Sequence, residues 1–257
     1  MIQSTMGRKA SVLCRQEWIT EPWQYVEKEV EQRILDHGLT LGSLLERTDN
    51  LPRGSSGSGD AATILQDCSS VYDGVRKLDQ LHGWRSSCET FERNSSCGPF
   101  DRMSQDPHTR VIGTRMKLGI MASAIQLAVC ATGCEILRRI GHAPNGATAP
   151  RHISLDSAFQ TDENWLDQRR LNLARTIVQS AATALRPEMG VTVSTKLAFP
   201  LRMAVEQFTF SDPDSVRCRT LLSQLQGDER HFATALNRNQ SVASQIASHK
   251  AELTYQS

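Results

Sequence analysis

The segment that most constrains the fold of this chain is an uncharged stretch from Leu118 to Cys134, which lies between Lys117 and Glu135. Small residues fill much of it, and it contains one amide, Gln126. Its length is at the lower limit for a membrane span, which needs about 20 predominantly apolar residues. A helix that is apolar on all sides is typical of the centre of a helical bundle. We therefore interpret the stretch as a buried core helix of a soluble fold, with a membrane span as the alternative.

Apolar residues recur three or four positions apart on both sides of this stretch, which indicates further helices. The first is predicted to run from Thr20, a suitable cap, to Gly38, a natural stop, and to be followed by a short helix that starts at Leu39 and closes near Asn50–Pro52. Other helices are predicted over 61–81, 109–140, 163–186, 216–225 and 229–250. Alternating apolar and polar runs typical of strands do not stand out, so the sequence predicts an all-α domain with long loops.

Pro200 interrupts an apolar run over 191–210. Because proline is tolerated in the first turn of a helix but not in its interior, two interpretations stay open. Either a short β-like run precedes a helix that begins near Phe199, or two helices meet there.

The predicted domain organisation has four parts. A polar tail covers 1–16, an N-terminal helical segment 17–52, a Gly/Ser linker 53–60 and a main helical domain 61–257, with loops near 86–108 and 141–161. The Gly/Ser run is similar in composition to a phosphate-binding loop. Asp60 and Ala61 stand where the lysine and hydroxyl of such a loop would follow, so a flexible linker is the interpretation.

Charge and cysteine content restrict the function classes. The chain has 29 basic and 28 acidic side chains, a net charge of +1, and so lacks the basic excess that neutralises nucleic-acid phosphates. Its seven cysteines are an odd number, and the polar start of the chain does not have the pattern of a signal peptide. We expect reduced thiols in the nucleus or cytoplasm rather than a secreted protein.

The cysteines give no zinc-binding spacing, because they stand at positions 14, 68, 88, 97, 130, 134 and 218. Cys130 and Cys134 lie one helical turn apart and could face one direction, but small buried core residues are the preferred interpretation. No metal ligand is therefore predicted, and no cofactor is expected.

Catalytic patterns are not found either. The seven histidines are scattered, and His231 after Asp228 and Glu229 is explained by a charged helix start. The acidic pairs Asp162–Glu163 and Asp228–Glu229 do not have the aspartate-rich spacing of a magnesium-diphosphate site. The sequence thus predicts no catalytic residue and no enzyme, and it leaves cofactor-binding residues unassigned.

Several short motifs, taken in order, resemble the C-terminal regulatory region of fungal binuclear zinc-cluster transcription factors. Glu17 to Trp23 resembles the entry motif of that region, and Ile34–Asp36 with Leu44, Leu45 and Asp49 resembles its continuation. Met121–Cys130 is similar to the central helix. The later motifs are Ala174–Ser180, Phe199–Ala204 and Asp214–Leu225.

The resemblance covers most of the chain, from about Glu17 to about Ala235, and implies an all-helical regulatory domain. It implies action through regulatory protein partners, with a small-molecule effector as a further option, and a link to fungal secondary metabolism. Trp18 and Trp23 would be apolar anchors, and Ser180 would pack or cap rather than act as a nucleophile.

This chain departs from the family pattern in one respect. Members carry six cysteines that hold two zinc ions ahead of the regulatory region, whereas residues 1–16 contain only Cys14. We therefore expect no zinc cluster, no direct sequence-specific DNA binding and no membrane insertion, and the sequence does not fix the oligomeric state.

Two other functions stay open. The chain could be a helical enzyme or accessory protein of a secondary-metabolite pathway, or a purely structural helical adaptor. A closed apolar cavity lined by two or more of four histidines would favour the enzyme: His82, His108, His142 and His231.

Overall fold

The computed structural model describes residues 27–52, 59–84, 107–141, 157–186 and 196–225. These residues form six helices and no strand, which confirms the all-α prediction. In chain order the helices are α1 Val30–Asp49, α2 Gly59–His82, α3 Pro107–Gly141, α4 Glu163–Ala184, α5 Ala198–Val205 and α6 213–225.

The long helix α3 is the centre of the described fold, and it contacts α1, α2, α4 and α5. Ile125, Leu127 and Val129 in its middle have no exposed surface, as the uncharged stretch predicted. By length and composition, α3 is also the one helix in the described ranges that could cross a membrane. Core helices of soluble proteins pass the same test, and 83% of its most apolar window is buried inside the fold.

Helix α1 differs from its prediction at both of the expected boundaries. Residues 27–29 are not helical, so a helix over Thr20–Gly38 is wrong, and α1 begins only after the extended Glu29. Gln32 Oε1 accepts a hydrogen bond from Glu29 N at 2.8 Å, which satisfies a backbone donor at the start of the helix.

Gly38 does not end α1, so the predicted second helix from Leu39 is the continuation of α1, which ends at Asp49, next to the predicted stop near Asn50. The buried side of α1 continues through Ile34, Gly38, Leu41 and Leu45, at spacings that keep these residues on one face. Glycine inside a helix costs about 1 kcal/mol relative to alanine. Burial of Ile34 before Gly38 and of Leu41 and Leu45 after it is worth more than that, so the helix continues.

Helices α2 and α4 lie where periodicity predicted them. Asp162 caps α4 as expected, because its Oδ1 accepts a hydrogen bond from Trp165 N at 2.8 Å. Leu166, Leu173 and Ile177 form the buried stripe of α4, and the helix ends before Pro187.

A helix begins next to Pro200, as both interpretations require. Pro200 lies in the first turn of α5, where its missing N–H costs nothing. The preceding stretch up to position 195, including the alternative β-like run, lies outside the described residues. Helix α6 includes the predicted 216–225 segment.

The contact between α3 and α4 is close because α3 has a glycine at the crossing. A Cβ added to Gly133 would lie 3.2 Å from Phe159 Cζ and 3.3 Å from Leu166 Cδ1. Gly119 plays a similar part nearer the start of α3, where an added Cβ would lie 3.2 Å from Trp84 Cβ. These glycines allow α3 to pack directly against bulky side chains of its neighbours.

One core joins the five described ranges, since Ile34 and Leu41 of α1 belong to the same buried cluster as the later helices. Other predictions lie outside the described residues. They concern the Thr20 cap, Trp18 and Trp23, the last helix over 229–250, residues 53–58 of the predicted linker, and residues 86–106 and 142–156 of the predicted loops. Residues 59–60 and 107–108, predicted as linker and loop, are helical.

Candidate functional site

The most elaborate polar contacts in the described part of the chain are those that attach α1 to the rest of the fold. At the C-terminal end of α1, Arg139 of α3 donates hydrogen bonds to the carbonyl oxygens of Thr48, of Asp49 at 3.2 Å and of Leu51 at 3.4 Å. Carbonyls at a helix end lack partners within the helix and attract a positive charge. Glu135 holds the guanidinium in place at 2.7 Å. Arg139 therefore caps α1 from a different helix.

At the other end of α1, Glu31 bridges two further parts of the fold. Its Oε1 lies 3.0 Å from Lys117 Nζ of α3 and 3.0 Å from Lys196 Nζ, just before α5. Burial raises the pKa of Glu31, but the hydrogen bonds and charges of the two lysines outweigh it and lower the pKa below the ordinary value. The hydrogen bond to Glu31 in turn raises the pKa of Lys196 against the opposing effect of burial.

Between these ends, His37 of α1 packs against the backbone of α2 at Gly74. A Cβ at position 74 would lie 2.8 Å from His37 Nε2 and 3.3 Å from Nδ1, so only glycine leaves room for the ring. Burial lowers the pKa of His37, and the negative charge of the adjacent Asp36 offsets only part of that effect. The neutral imidazole is thus the form that fits the contact.

We call Glu31, His37 and Arg139 the α1 anchors. Each joins α1 to another helix through a titratable or charged group. An additional pair, Arg47 with Asp67 of α2, is 2.5 Å long, but both side chains are largely exposed. The attachment of α1 is therefore the part of the described fold on which pH and ionic strength act most directly.

A second polar cluster holds the segment before α4 on α2. Asp73 accepts a hydrogen bond from Ser157 Oγ at 2.6 Å and from Ala158 N at 3.1 Å, and Ser157 Oγ lies 2.7 Å from Ser69 Oγ. A serine beside a carboxylate resembles part of a hydrolase triad, but the hydrogen-bond partners of Ser157 among the described residues are Ser69, Asp73 and Phe159, and none is a histidine. The cluster has a structural use, which is to position residue Phe159 against α3.

The aromatic side chains beside this cluster form a packed group. The ring centroid of Tyr72 lies 5.6 Å from that of Phe159 and 6.0 Å from that of Trp165. Arg169 Nε donates to the Tyr72 hydroxyl at 2.7 Å, which satisfies the polar end of a buried tyrosine. Such a group rigidifies the contact between α2 and α4.

The thiols on α2 and α3 are buried and weakly acidic. Burial raises the pKa of Cys130 to about 12 and that of Cys134 to about 11, and it raises the pKa of Cys68 further still. Cys134 Sγ donates to Asp167 Oδ1 at 3.5 Å. Protonated thiols are poor nucleophiles and poor metal ligands. Within the described ranges, no three histidine, cysteine or acidic side chains are arranged to hold a metal ion.

Both members of the acidic pair Asp162–Glu163 make contacts that stabilise the fold. Asp162 is the cap of α4, and Glu163 Oε1 lies 3.4 Å from Arg138 Nε. Ser180 is half-buried on α4. Asp228, Glu229 and His231 lie outside the described residues.

The histidines that would indicate an enzyme are not brought together in the described part of the fold. His82 is exposed, and its ring stacks on Trp84 at 5.7 Å between centroids. The His108 side chain, His142 and His231 lie outside the described residues. No cavity lined by two of these side chains is therefore shown.

Sequence reasoning missed the α1 anchors and Asp73. Arg139 lies 88 to 91 positions from its carbonyl partners, and Asp73 lies 84 and 85 positions from Ser157 and Ala158. Periodicity cannot pair residues over such distances. The one available signal was Gly74, a glycine inside an otherwise regular helix, which often marks a close approach of another group.

An exposed corner follows α5. The Phe210 side chain is 80% exposed, and the Arg219 guanidinium carbon lies 3.9 Å above the centre of its ring. Val216, one turn before Arg219 on α6, is also exposed. Two apolar side chains and a cation thus share this part of the surface.

No family model matches the chain, and no curated protein or solved structure matches it. Its function must therefore be inferred from the sequence motifs and from the chemistry of the described residues.

Proposed function

We propose that this chain is a transcription-regulator-like helical protein that acts through contacts with regulatory proteins or a small-molecule effector. It does not itself bind DNA in a sequence-specific manner. The observation that carries the proposal is the order of the short motifs from Glu17 to Leu225, which resembles the regulatory region of fungal zinc-cluster factors. A place in the nucleus or cytoplasm and a link to fungal secondary metabolism belong to the same proposal.

The positions of the later motifs support this interpretation. Ala174 and Ile177 have no exposed surface and form the inner face of α4. Phe199 and Leu201, from the next motif, are buried in α5. Buried positions on adjacent helices are what a motif needs if it preserves a regulatory scaffold rather than a reaction centre.

The chemistry of the described side chains also supports a role in contacts. The ionised groups with the best-formed partners join helices: Glu31 to two lysines, Arg139 to the end of α1 and Asp73 to the segment before α4. The described thiols are held protonated by burial. These groups stabilise the scaffold, and the scaffold presents its surface to partners.

DNA binding is tested with the purified full chain and a labelled pool of random double-stranded DNA. We expect weak retention of the DNA that disappears as the salt concentration is raised to about 0.2 M. A chain with a net charge of +1 has little excess of basic side chains to displace counterions from the phosphates. Enrichment of one sequence that survives this salt concentration would contradict the proposal.

Regulatory activity is tested by fusing the full chain to an unrelated DNA-binding domain and measuring transcription of a reporter with the matching site. The fusion should change transcription relative to the DNA-binding domain alone. Leu166→Asp, which places a charge in the core, should abolish the change, whereas Glu27→Gln on the exposed surface should preserve it. A folded, nuclear fusion that leaves transcription unchanged would contradict the proposal.

A further inference from the structure

We propose that His37 is a pH-sensitive wedge, and that protonation of its ring against Gly74 releases α1 from α2 while α3 and α4 stay packed. The inference concerns a conformational device in the fold and does not depend on the function proposed above.

The geometry of the contact leaves little room for a charged ring. The imidazole lies against the bare Cα of Gly74, where an added Cβ would be 2.8 Å from Nε2. No described residue is hydrogen-bonded to either ring nitrogen. An imidazolium carries two N–H donors that need acceptors, and a helix backbone whose carbonyls are already bonded supplies none.

The charged groups around the contact do not favour protonation of His37 enough to outweigh the missing acceptors. On α1, Asp36 is adjacent to His37 and favours the charged ring, but its carboxylate is bonded to Lys28 at 2.6 Å. On α2, Asp73 next to Gly74 is occupied by the Ser157 hydroxyl and the Ala158 amide, and Lys77 one turn onward is exposed.

The third element packed on α1 contributes positive charge. Lys117 of α3 is bound to Glu31, on the turns of α1 that precede His37. A lysine does not stabilise an imidazolium. Burial therefore decides the balance, and the pKa of His37 lies below its ordinary value of 6.5.

The direction of the pH effect follows from proton binding. When α1 is docked, the ring is neutral down to its lowered pKa; when α1 is released, the ring protonates near pH 6.5. Between these two pKa values only the released form holds the extra proton. The ratio of released to docked α1 therefore rises by up to about tenfold per pH unit as the pH falls, and levels off below the lowered pKa.

The test is hydrogen exchange of the full chain at about pH 7.5 and about pH 5.5, with rates corrected for the intrinsic effect of pH and expressed as opening constants. The α1 opening constants should rise, by up to about tenfold, while those of α3 and α4 should change by much less. His37→Gln, which cannot titrate, should remove the pH dependence of α1. His82→Gln is the matched control at an exposed histidine and should keep it.

An equal rise in α1, α3 and α4 would overturn the proposal, as would a pH dependence of α1 that persists in His37→Gln. If His37→Gln does not fold, an NMR titration of the His37 ring in the unmodified chain decides the question. A ring that titrates below pH 6.5 supports the wedge, and a ring that titrates at or above pH 6.5 overturns it.

Discussion

Helices α4 and α1 both bury apolar side chains in the core around α3, but α1 is held in addition by less exposed charged contacts at its two ends. At the α3–α4 contact, Gly133 admits Phe159 and Leu166, which are buried apolar side chains. At the α1 contact, Arg139 and Lys117 of α3 hold the two ends of α1, the latter through Glu31, while His37 in the middle packs on α2. Apolar burial depends little on pH or salt, whereas charged contacts depend on both. The comparison indicates a rigid central pair and a helix whose attachment responds to solution conditions.

The largest effect is expected from a cavity at the central contact. Leu166→Ala should lower the free energy of unfolding by about 3 kcal/mol, because Leu166 is fully buried against Gly133 and its removal leaves a void. Leu81→Ala is the matched control: Leu81 is 75% exposed, and its truncation should cost less than about 0.5 kcal/mol. Urea denaturation of the full chain measures both, and equal losses would contradict the assignment of the core.

The next effect is expected at the C-terminal end of α1. Arg139→Met should cost about 2 kcal/mol, since it removes the charged hydrogen bonds to the α1 carbonyls and the ion pair with Glu135. Arg138→Met, at the neighbouring position, removes half-exposed ion pairs with Glu163 and Asp167 and should cost about 0.5 kcal/mol. The two variants are compared by urea denaturation. A larger loss in Arg138→Met would show that Arg139 does not hold α1.

A smaller effect is expected where α1 meets α2. Gly74→Ala should destabilise the chain by about 1 kcal/mol, because the clash with the His37 ring outweighs the gain in helix propensity. In the background of His37→Ala the clash is gone, so the same substitution should become stabilising by up to about 1 kcal/mol. A thermal double-mutant cycle measures the change of sign. An unchanged sign would mean that the ring does not occupy the space at Gly74.

The smallest effect is expected at the N-terminal end of α1. Glu31→Gln should cost about 0.5 kcal/mol at neutral pH, because the pairs with Lys117 and Lys196 are partly exposed. The pKa of Glu31 is lowered in the fold, so this contribution is present above the ordinary value of 4.5 and is lost as the pH falls through the lowered value. When denaturation is measured at several pH values, the free energies of unfolding of Glu31→Gln and of the unmodified chain should become equal in acid. Glu27→Gln, at a highly exposed position, is the control.

Local pattern was sufficient for most of the helices. The uncharged stretch predicted α3, and Asp162 before Trp165 predicted the start of α4, since both signals lie within a few residues. Gly38 wrongly predicted the end of a helix, because burial of the apolar face of α1 outweighs the low helix propensity of glycine. The α1 anchors could not be predicted, since Arg139 and Gly74 meet their partners only after the helices have packed.

Helix α1 is attached less firmly than the α3–α4 pair, and native-state hydrogen exchange at increasing urea below the unfolding transition measures this difference. We expect the amides of α1 to open through a separate transition, at an opening free energy about 1–2 kcal/mol lower than that at which α3 and α4 open together. A single opening free energy shared by α1, α3 and α4 at every urea concentration would contradict it.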